Sequence, residues 1–354
     1  MRFEKLEWMK KITAKQVVAM CIGMVGIYFV ALLGMNHNNV PSDYQTNRVG
    51  SMGYPYEDEV DVDVETQTVF VLHESGYIVK TEIELEPELS YVESIFYGIS
   101  HGSQRLAENL EGLIPSRAVL RDYDVDSHGV LTLNLSESFT YYRNSIEVSL
   151  LSSLVWSLTE LPNVEKVHFT IEGEPVSNFN TSIDVGRGLT RAMGINLEVA
   201  THRITDSQPV LLYFFTNDSE NALLIPVTRL IDSHAEPFEY AVSSLVRGPI
   251  GASYISVFNH RATLLESPKL TDGIMTLNFC SELFFDQDQT HVSSQLIKQL
   301  VMTMTEFSEV HEVSVVIEGS SRVFDDVGNP LTVPVSRDVI LGNEARFGSI
   351  VRQY

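Results

Sequence analysis

The one literal catalytic signature in this chain is Gly98-Ile99-Ser100-His101-Gly102, a match to the G-x-S-x-G nucleophile elbow. In that elbow a strand enters the turn and a helix leaves it, which lifts the serine hydroxyl clear of the sheet. Here the order is reversed. Leu89, Val92, Ile95, Phe96 and Ile99 recur at helical spacing ahead of the motif, and no helical pattern follows it. The expected geometry is a helix stopping at Gly98, and an envelope serine esterase using Ser100 stays only as a remote alternative. Asp122, Asp124 and Asp126 imitate the opening of an EF-hand loop, but Ser127 and Leu133 stand where that loop needs Gly and Glu. Alternating acids running into a turn at His128-Gly129 describe a solvated strand edge. The ten histidines show no metal-ligand spacing, and no Walker loop, GxGxxG or HExxH occurs. The sequence therefore assigns no catalytic, cofactor-binding or metal residue.

Two duplicated features survive. Thr159-Glu160 and Thr305-Glu306 each follow an apolar helical stripe, where a carboxylate opposes the helix dipole. Such a pair serves either the local loop or a partner. Arg191 and Arg337 each close a Gly-rich, hairpin-like tail, where a guanidinium can clamp the tail to its domain through a carboxylate.

These features repeat because the chain repeats. Ile146, Leu150, Leu151, Leu154, Val155, Leu158 and Leu161 return 146 residues later as Val292, Leu296, Ile297, Leu300, Val301, Met304 and Phe307. Ile171-Glu172-Gly173 returns as Ile317-Glu318-Gly319, and Thr132-Leu133-Asn134 as Thr276-Leu277-Asn278. Solenoid repeats run at roughly 20–50 residues, so a period this long is a whole domain in tandem. Each copy opens on apolar strands, Thr68–Leu72 or Val210–Phe215, followed by a helix introduced by Glu86-Pro87 or Glu236-Pro237. Gly98 or Gly248 stops that helix. The long second helix is capped near Ser145 or Thr290, and Val164, Val167, Phe169 and Ile171 alternate as a closing strand, as do Val313, Val315 and Ile317. The predicted order is ββαββαβ per copy, an α+β fold with one mixed sheet packed by two helices.

The 354 residues carry a net charge of −23. Residues 1–35 hold five basic residues against two acidic ones, so the remainder carries −26. A body this acidic is repelled by phosphate backbones, which excludes nucleic acid as an expected partner. Residues 16–35 contain no charge and, as a helix, would span about 30 Å, the thickness of a bilayer core. The basic flank precedes this run, so the positive-inside rule places residues 1–15 in the cytoplasm and the body outside. The run exceeds a signal-peptide core and lacks a cleavage site, which favours an uncleaved anchor. Residues 36–66 read as a flexible acidic linker, 67–200 and 208–345 as the two domains, and 346–354 as a tail. Two cysteines, Cys21 in the apolar run and Cys280 in a strand, are too few for a disulfide scaffold.

The succession of apolar strands, Leu245-Val246-Arg247-Gly248-Pro249, the strand Thr276-Leu277-Asn278-Phe279 and the run QLVMTMTEFSEVHEVSVVIEG from Gln299 resembles the GerM (sporulation and spore germination) domain family. The first copy keeps SSLVWSLTELPNVEKVHFTIEG from Ser152 but lacks Pro after Gly98. The resemblance covers residues 67–345. It implies a non-catalytic, cofactor-free extracytoplasmic protein of spore-forming bacteria, similar in fold to ring-building modules. The implied work is assembly of a transenvelope complex between mother cell and forespore through contacts with other extracytoplasmic proteins, placing the body in the forespore intermembrane space. Regulation of peptidoglycan or spore-cortex hydrolases is the alternative. The family's best-known member is a lipoprotein, whereas Met20 before Cys21 makes no lipobox here.

Overall fold

The computed structural model describes residues 65–342 apart from 219–221, 252, 287–289 and 327. The apolar run at 16–35, nearly all of the linker and the tail at 346–354 lie outside the described residues. Among the described residues no helix is long and apolar enough to cross a membrane.

In the first copy, β1 (Thr66–His73) and β2 (Ile78–Glu84) form an antiparallel hairpin, and the short β3 (Leu110–Glu111) pairs β1 only at Leu72 and His73. Helix α1 (Tyr91–Gly98) follows the hairpin. A second sheet has the order β4-β5-β6-β7, built from β4 (Leu120–Val125), β5 (Val130–Leu135), β6 (Lys166–Ile171) and β7 (Glu174–Pro175). The parallel β5–β6 connection is made by the long helix α2 (Glu147–Leu158).

The second copy repeats this plan. Its hairpin is β9 (Ser207–Thr216) with β10 (Leu224–Asp232), followed by α3 (Pro237–Arg247) and the short β11 (Tyr254–Ile255). Its second sheet, β12-β13-β15-β17, comprises Lys269–Thr271, Ile274–Phe279, Glu312–Ile317 and Val335–Ser336, with α4 (Ser294–Met304) connecting parallel β13 and β15. Two short strands, β14 (His291–Val292) and β16 (Phe324–Asp325), pair beside α4.

The hairpin and the closing strands of each copy thus lie in separate sheets, where the sequence suggested one, and copy two adds the small β14–β16 sheet. The cause lies at the open side of β1. Phe70 has no strand partner there; Ser153 of α2 donates its hydroxyl to the Phe70 carbonyl, and the Phe70 N–H donates to Ser157 Oγ at 2.9 Å. In copy two the Tyr213 N–H donates to Thr303 Oγ1 at 3.0 Å, and Gln299 Nε2 donates to the Tyr213 carbonyl at 2.8 Å. Helix side chains occupy the backbone groups that a further strand would need, so the sheet ends.

Three local expectations change. Helix α1 begins at Tyr91 behind a Ser90–Glu93 capping box, not at Glu86-Pro87; only copy two uses Pro at its first turn. Gly98 is not a left-handed stop, unlike Gly248 at φ 84°. A Cβ there would lie 2.3 Å from Ile83 Cδ1, so a larger residue would displace that side chain. The long helices have no side-chain cap from Ser145 or Thr290; α2 starts after a 3-10 turn at Asn144–Ile146, and α4 starts after Ser293.

Alternation along β5 buries Leu131, Leu133 and Leu135, and the same positions of β13 bury Met275, Leu277 and Phe279. These side chains meet the apolar stripes of α2 and α4 in one core cluster that spans both copies. Each buried Leu or Phe contributes about 1.5–3 kcal/mol, which is why this pattern persists while the surface has drifted.

Candidate functional site

The duplicated polar residues come together at the ends of the long helices. Thr159 is the C-cap of α2, and its neighbour Glu160 receives Arg191 from the tail. Arg191 Nε donates to Thr159 Oγ1 at 2.8 Å, and Nη2 donates to the Trp156 carbonyl at 3.2 Å and to Glu160 Oε1. The guanidinium lies 4.8 Å from the Trp156 ring centre and 5.9 Å from that of Phe70. Copy two reproduces each of these hydrogen bonds, with Met302 in place of the Trp156 ring. Arg337 Nε donates to Thr305 Oγ1 at 3.1 Å, and Nη2 donates to the Met302 carbonyl at 2.9 Å and to Glu306 Oε1, while the group stacks 5.9 Å from Tyr213.

The unfavourable helix dipole at Glu160 and Glu306 is offset: a guanidinium sits over the last helical carbonyls, and the carboxylate neutralises it. Threonine, glutamate and arginine, separate candidates in the sequence, form one clamp per copy. The residue four positions beyond each arginine then plugs an apolar cluster. Ile195 packs with Phe70, Ile78 and Trp156, and Leu341 packs with Tyr213, Phe215 and Met302.

Both clamps face the junction between the copies. Leu211 packs against both of these apolar clusters. Lys80 lies opposite Phe70 in the β1–β2 register and within electrostatic reach of Glu160, Arg191, Glu306 and Arg337. Burial lowers the pKa of its ammonium, and Glu160 opposes that shift. The Tyr213 hydroxyl donates to Glu306 at 2.9 Å; burial, then the Glu306 charge, pushes this phenol well up.

The connector is woven into the second copy. Asn196, at φ 46°, accepts from the Ile78 N–H at 2.9 Å and donates to the carbonyls of Ile78 at 2.7 Å and Pro226 at 2.8 Å. The next segment, β8 (Glu198–Val199), joins the hairpin sheet of copy two in parallel with β10. Glu198 and Arg229 pair at 2.6 Å with side chains only 8% and 4% exposed. The N–H groups of Ile250 and Gly251 and the Tyr254 hydroxyl also donate to Glu198, and burial plus this contact raise the Tyr254 pKa. A buried carboxylate with four donors is satisfied in full.

The other sequence candidates stand apart from the junction. Ser100 follows α1, and its hydroxyl donates to the Phe96 carbonyl at 2.9 Å, so it closes the helix instead of standing above a strand. His101 pairs with Glu111 at 2.7 Å. Asp122 and Asp124 lie on the outer strand β4, and Asp126 accepts from the N–H groups of His128 and Val130, which makes the turn. Among the described residues no group of three His, Cys, Asp or Glu could hold a metal ion.

The helix polar pairs escaped the sequence reading. Ser153 and Ser157 recur as Gln299 and Thr303, and polar residues repeated inside an apolar stripe at the domain period were the available signal. Asn134 and Asn278 escaped in the same way. They accept from the N–H groups of Gly173 and Gly319, which pins the Ile-Glu-Gly turns. For Lys80 and Asn196 no repeat existed to mark them.

Comparison with known proteins matches this architecture twice over. A family model described as Germane, sporulation and spore germination, covers residues 66–177 and again 211–323. The chain is 27% identical over 278 residues to the spore germination protein GerM of Bacillus subtilis, covering 76% of each chain. It also resembles the solved tandem GerMN domains of the sporulation protein GerM from B. subtilis, at 26% identity and a TM-score of 0.70, over 77% of this chain and 98% of that one. With both halves of its body matching the same model, the chain belongs to the Germane family of sporulation and spore germination proteins.

Proposed function

We propose that this protein is a non-catalytic, membrane-attached assembly factor of sporulation, working outside the cytoplasm by contact with other extracytoplasmic proteins of a transenvelope complex between mother cell and forespore. The observation that carries this reading is the use made of the duplicated polar residues. Thr159, Glu160 and Arg191, their counterparts Thr305, Glu306 and Arg337, and the caps Asn134 and Asn278 all spend their hydrogen bonds inside the fold. Selection on both copies has kept a scaffold, which leaves recognition to the acidic surface. Residues 16–35 supply the attachment, with residues 1–15 cytoplasmic, so protease added outside the cell should remove the body and spare the N-terminus.

Deletion of the gene should sharply reduce heat-resistant spores; an undiminished yield would sink the proposal. The germination half of the family description favours one second reading, control of a cortex hydrolase. In-cell crosslinking separates the two: neighbours in a transenvelope complex support the first, and a cortex hydrolase supports the second.

A further inference from the structure

The connector that follows the first clamp covers a sheet edge of copy two. Beyond the plug, the Ile195 carbonyl accepts from the Thr228 N–H at 2.8 Å, and the Ala200 N–H donates to the Leu230 carbonyl at 2.9 Å. Between these bonds β8 runs parallel to β10, with Glu198 opposite Arg229 and Val199 opposite Leu230. In copy one the same edge is open. Strand β2 ends its sheet, with β1 as its strand partner. Ile78 turns its N–H and carbonyl to the open side, where Asn196 takes both. Backbone groups alternate along an antiparallel pair, so Lys80, Glu82 and Glu84 present theirs to the same side. No strand covers them among the described residues, and both glutamates are exposed.

The repeat supplies a matching segment. At the domain period, Ile195, Glu198 and Val199 return as Leu341, Glu344 and Ala345. Leu197, 56% exposed, returns as Asn343, a polar residue that a solvent-facing position accepts. Leu341 fills the counterpart cluster: Ile78 and Trp156 beside Ile195 become Leu224 and Met302 beside Leu341. Leu211 packs against both clusters, so the described chain ends at Gly342 close to the first residue of β2. Ile83 stands at the offset of Arg229, yet copy one also brings a guanidinium to its helix-end glycine. Arg229 reaches the Gly248 carbonyl at 3.5 Å, and Arg105 Nη1 lies 3.7 Å from where Gly98 would carry a Cβ. Arg346 adds a positive charge opposite an edge that bears Glu82 and Glu84.

We propose that residues 343–346 add to the open edge of β2 as a parallel strand within the same chain, with Glu344 opposite Ile83 and Ala345 opposite Glu84. The occupant is the chain's own segment because the stretch that forms β8 recurs there, one residue beyond a plug already seated beside Ile78's cluster. Each copy then lends a strand to the other. An open edge is a template for pairing with another chain, so this strap also keeps β2 from joining a neighbouring molecule. The inference does not rest on the assembly reading.

The test is disulfide trapping in the full chain in mild detergent, with Cys21→Ser and Cys280→Ser as background. Register neighbours on adjacent strands lie within disulfide reach, so Glu84→Cys with Ala345→Cys should close an intramolecular bridge, seen as a faster monomer band on a non-reducing gel. Glu84→Cys with Ser349→Cys, out of register, should close about tenfold more slowly or less. Equal rates in the two pairs mark a loose tail and overturn the proposal. A dimer band from the first pair overturns it too, by giving the edge to a second molecule. Hydrogen exchange tests the chain without added cysteines. The Glu84 amide should exchange about tenfold or more slowly in the full chain than in a chain ending at Gly342, and equal exchange overturns the proposal.

Discussion

At the scale of single residues, this fold invests its polar side chains in fixing backbone. Arg191 makes a planar fork over Thr159, Glu160 and the Trp156 carbonyl, a geometry lysine cannot reproduce. Arg191→Lys should therefore lower stability by about 1–3 kcal/mol, and Arg337→Lys similarly, read from urea midpoints. Glu147 shows the same economy without a cation. It is fully buried and accepts from the Tyr142 hydroxyl, the N–H groups of Asn180 and Thr181, and the Thr181 hydroxyl. Glu147→Ala strands four donors and should cost about 2–4 kcal/mol. Lys298 gives the pH dependence a definite sign. Burial, aided by the Lys80 charge, lowers its pKa from 10.5 to about 8. Between those values the unfolded chain holds a proton that the folded chain has released, so stability rises with pH across that window. Lys298→Met should flatten the rise; an unchanged slope from pH 8 to 10 would refute the assignment.

At the scale of elements, the decisive device is a helix that terminates a sheet. Ser153 and Ser157 on α2, and Gln299 and Thr303 on α4, occupy one strand residue's N–H and C=O in each copy. Ser157→Val leaves the Phe70 N–H buried and unpaired and should cost about 1–3 kcal/mol, while the circular-dichroism spectrum of the folded protein stays the same. The outer strand β4 is guarded by its own chemistry: Asp122 accepts from the Tyr123 N–H, and charged side chains discourage pairing with another chain. Helix α1 meets β2 at Gly98, where a methyl group would displace the end of the buried Ile83 side chain, so Gly98→Ala should destabilise by about 1 kcal/mol, measured by thermal melt.

At the scale of the whole molecule, the connector decides the behaviour. Asn196 bonds β2 and β10 at once, β8 adds a strand to the second copy, and both copies lie within one compact unit. The body should therefore unfold in a single calorimetric transition. Asn196→Ala removes the side-chain bridge between β2 and β10 and tests its share of that coupling: if the bridge is decisive, the transition splits in two. A single transition persisting in this variant would show that apolar contacts alone couple the copies. The shared core also bears on the proposed function, since partners would meet two domains packed together within one compact unit.

The sequence by itself determined the duplication, the amphipathic helices, the alternating strands and the residues of both clamps, because each leaves a periodic or repeated mark. Thr159, Glu160 and Arg191 were all legible, yet their union was not, since spacing along a chain does not report distance between a helix end and a tail 32 residues away. Only the tertiary structure decided that the hairpin and the closing strands of each copy lie in separate sheets, that both clamps act electrostatically on Lys80, and that Glu198 is buried against Arg229. Hydrophobic periodicity says which face of an element turns inward; which surface it then meets depends on packing among all the elements together.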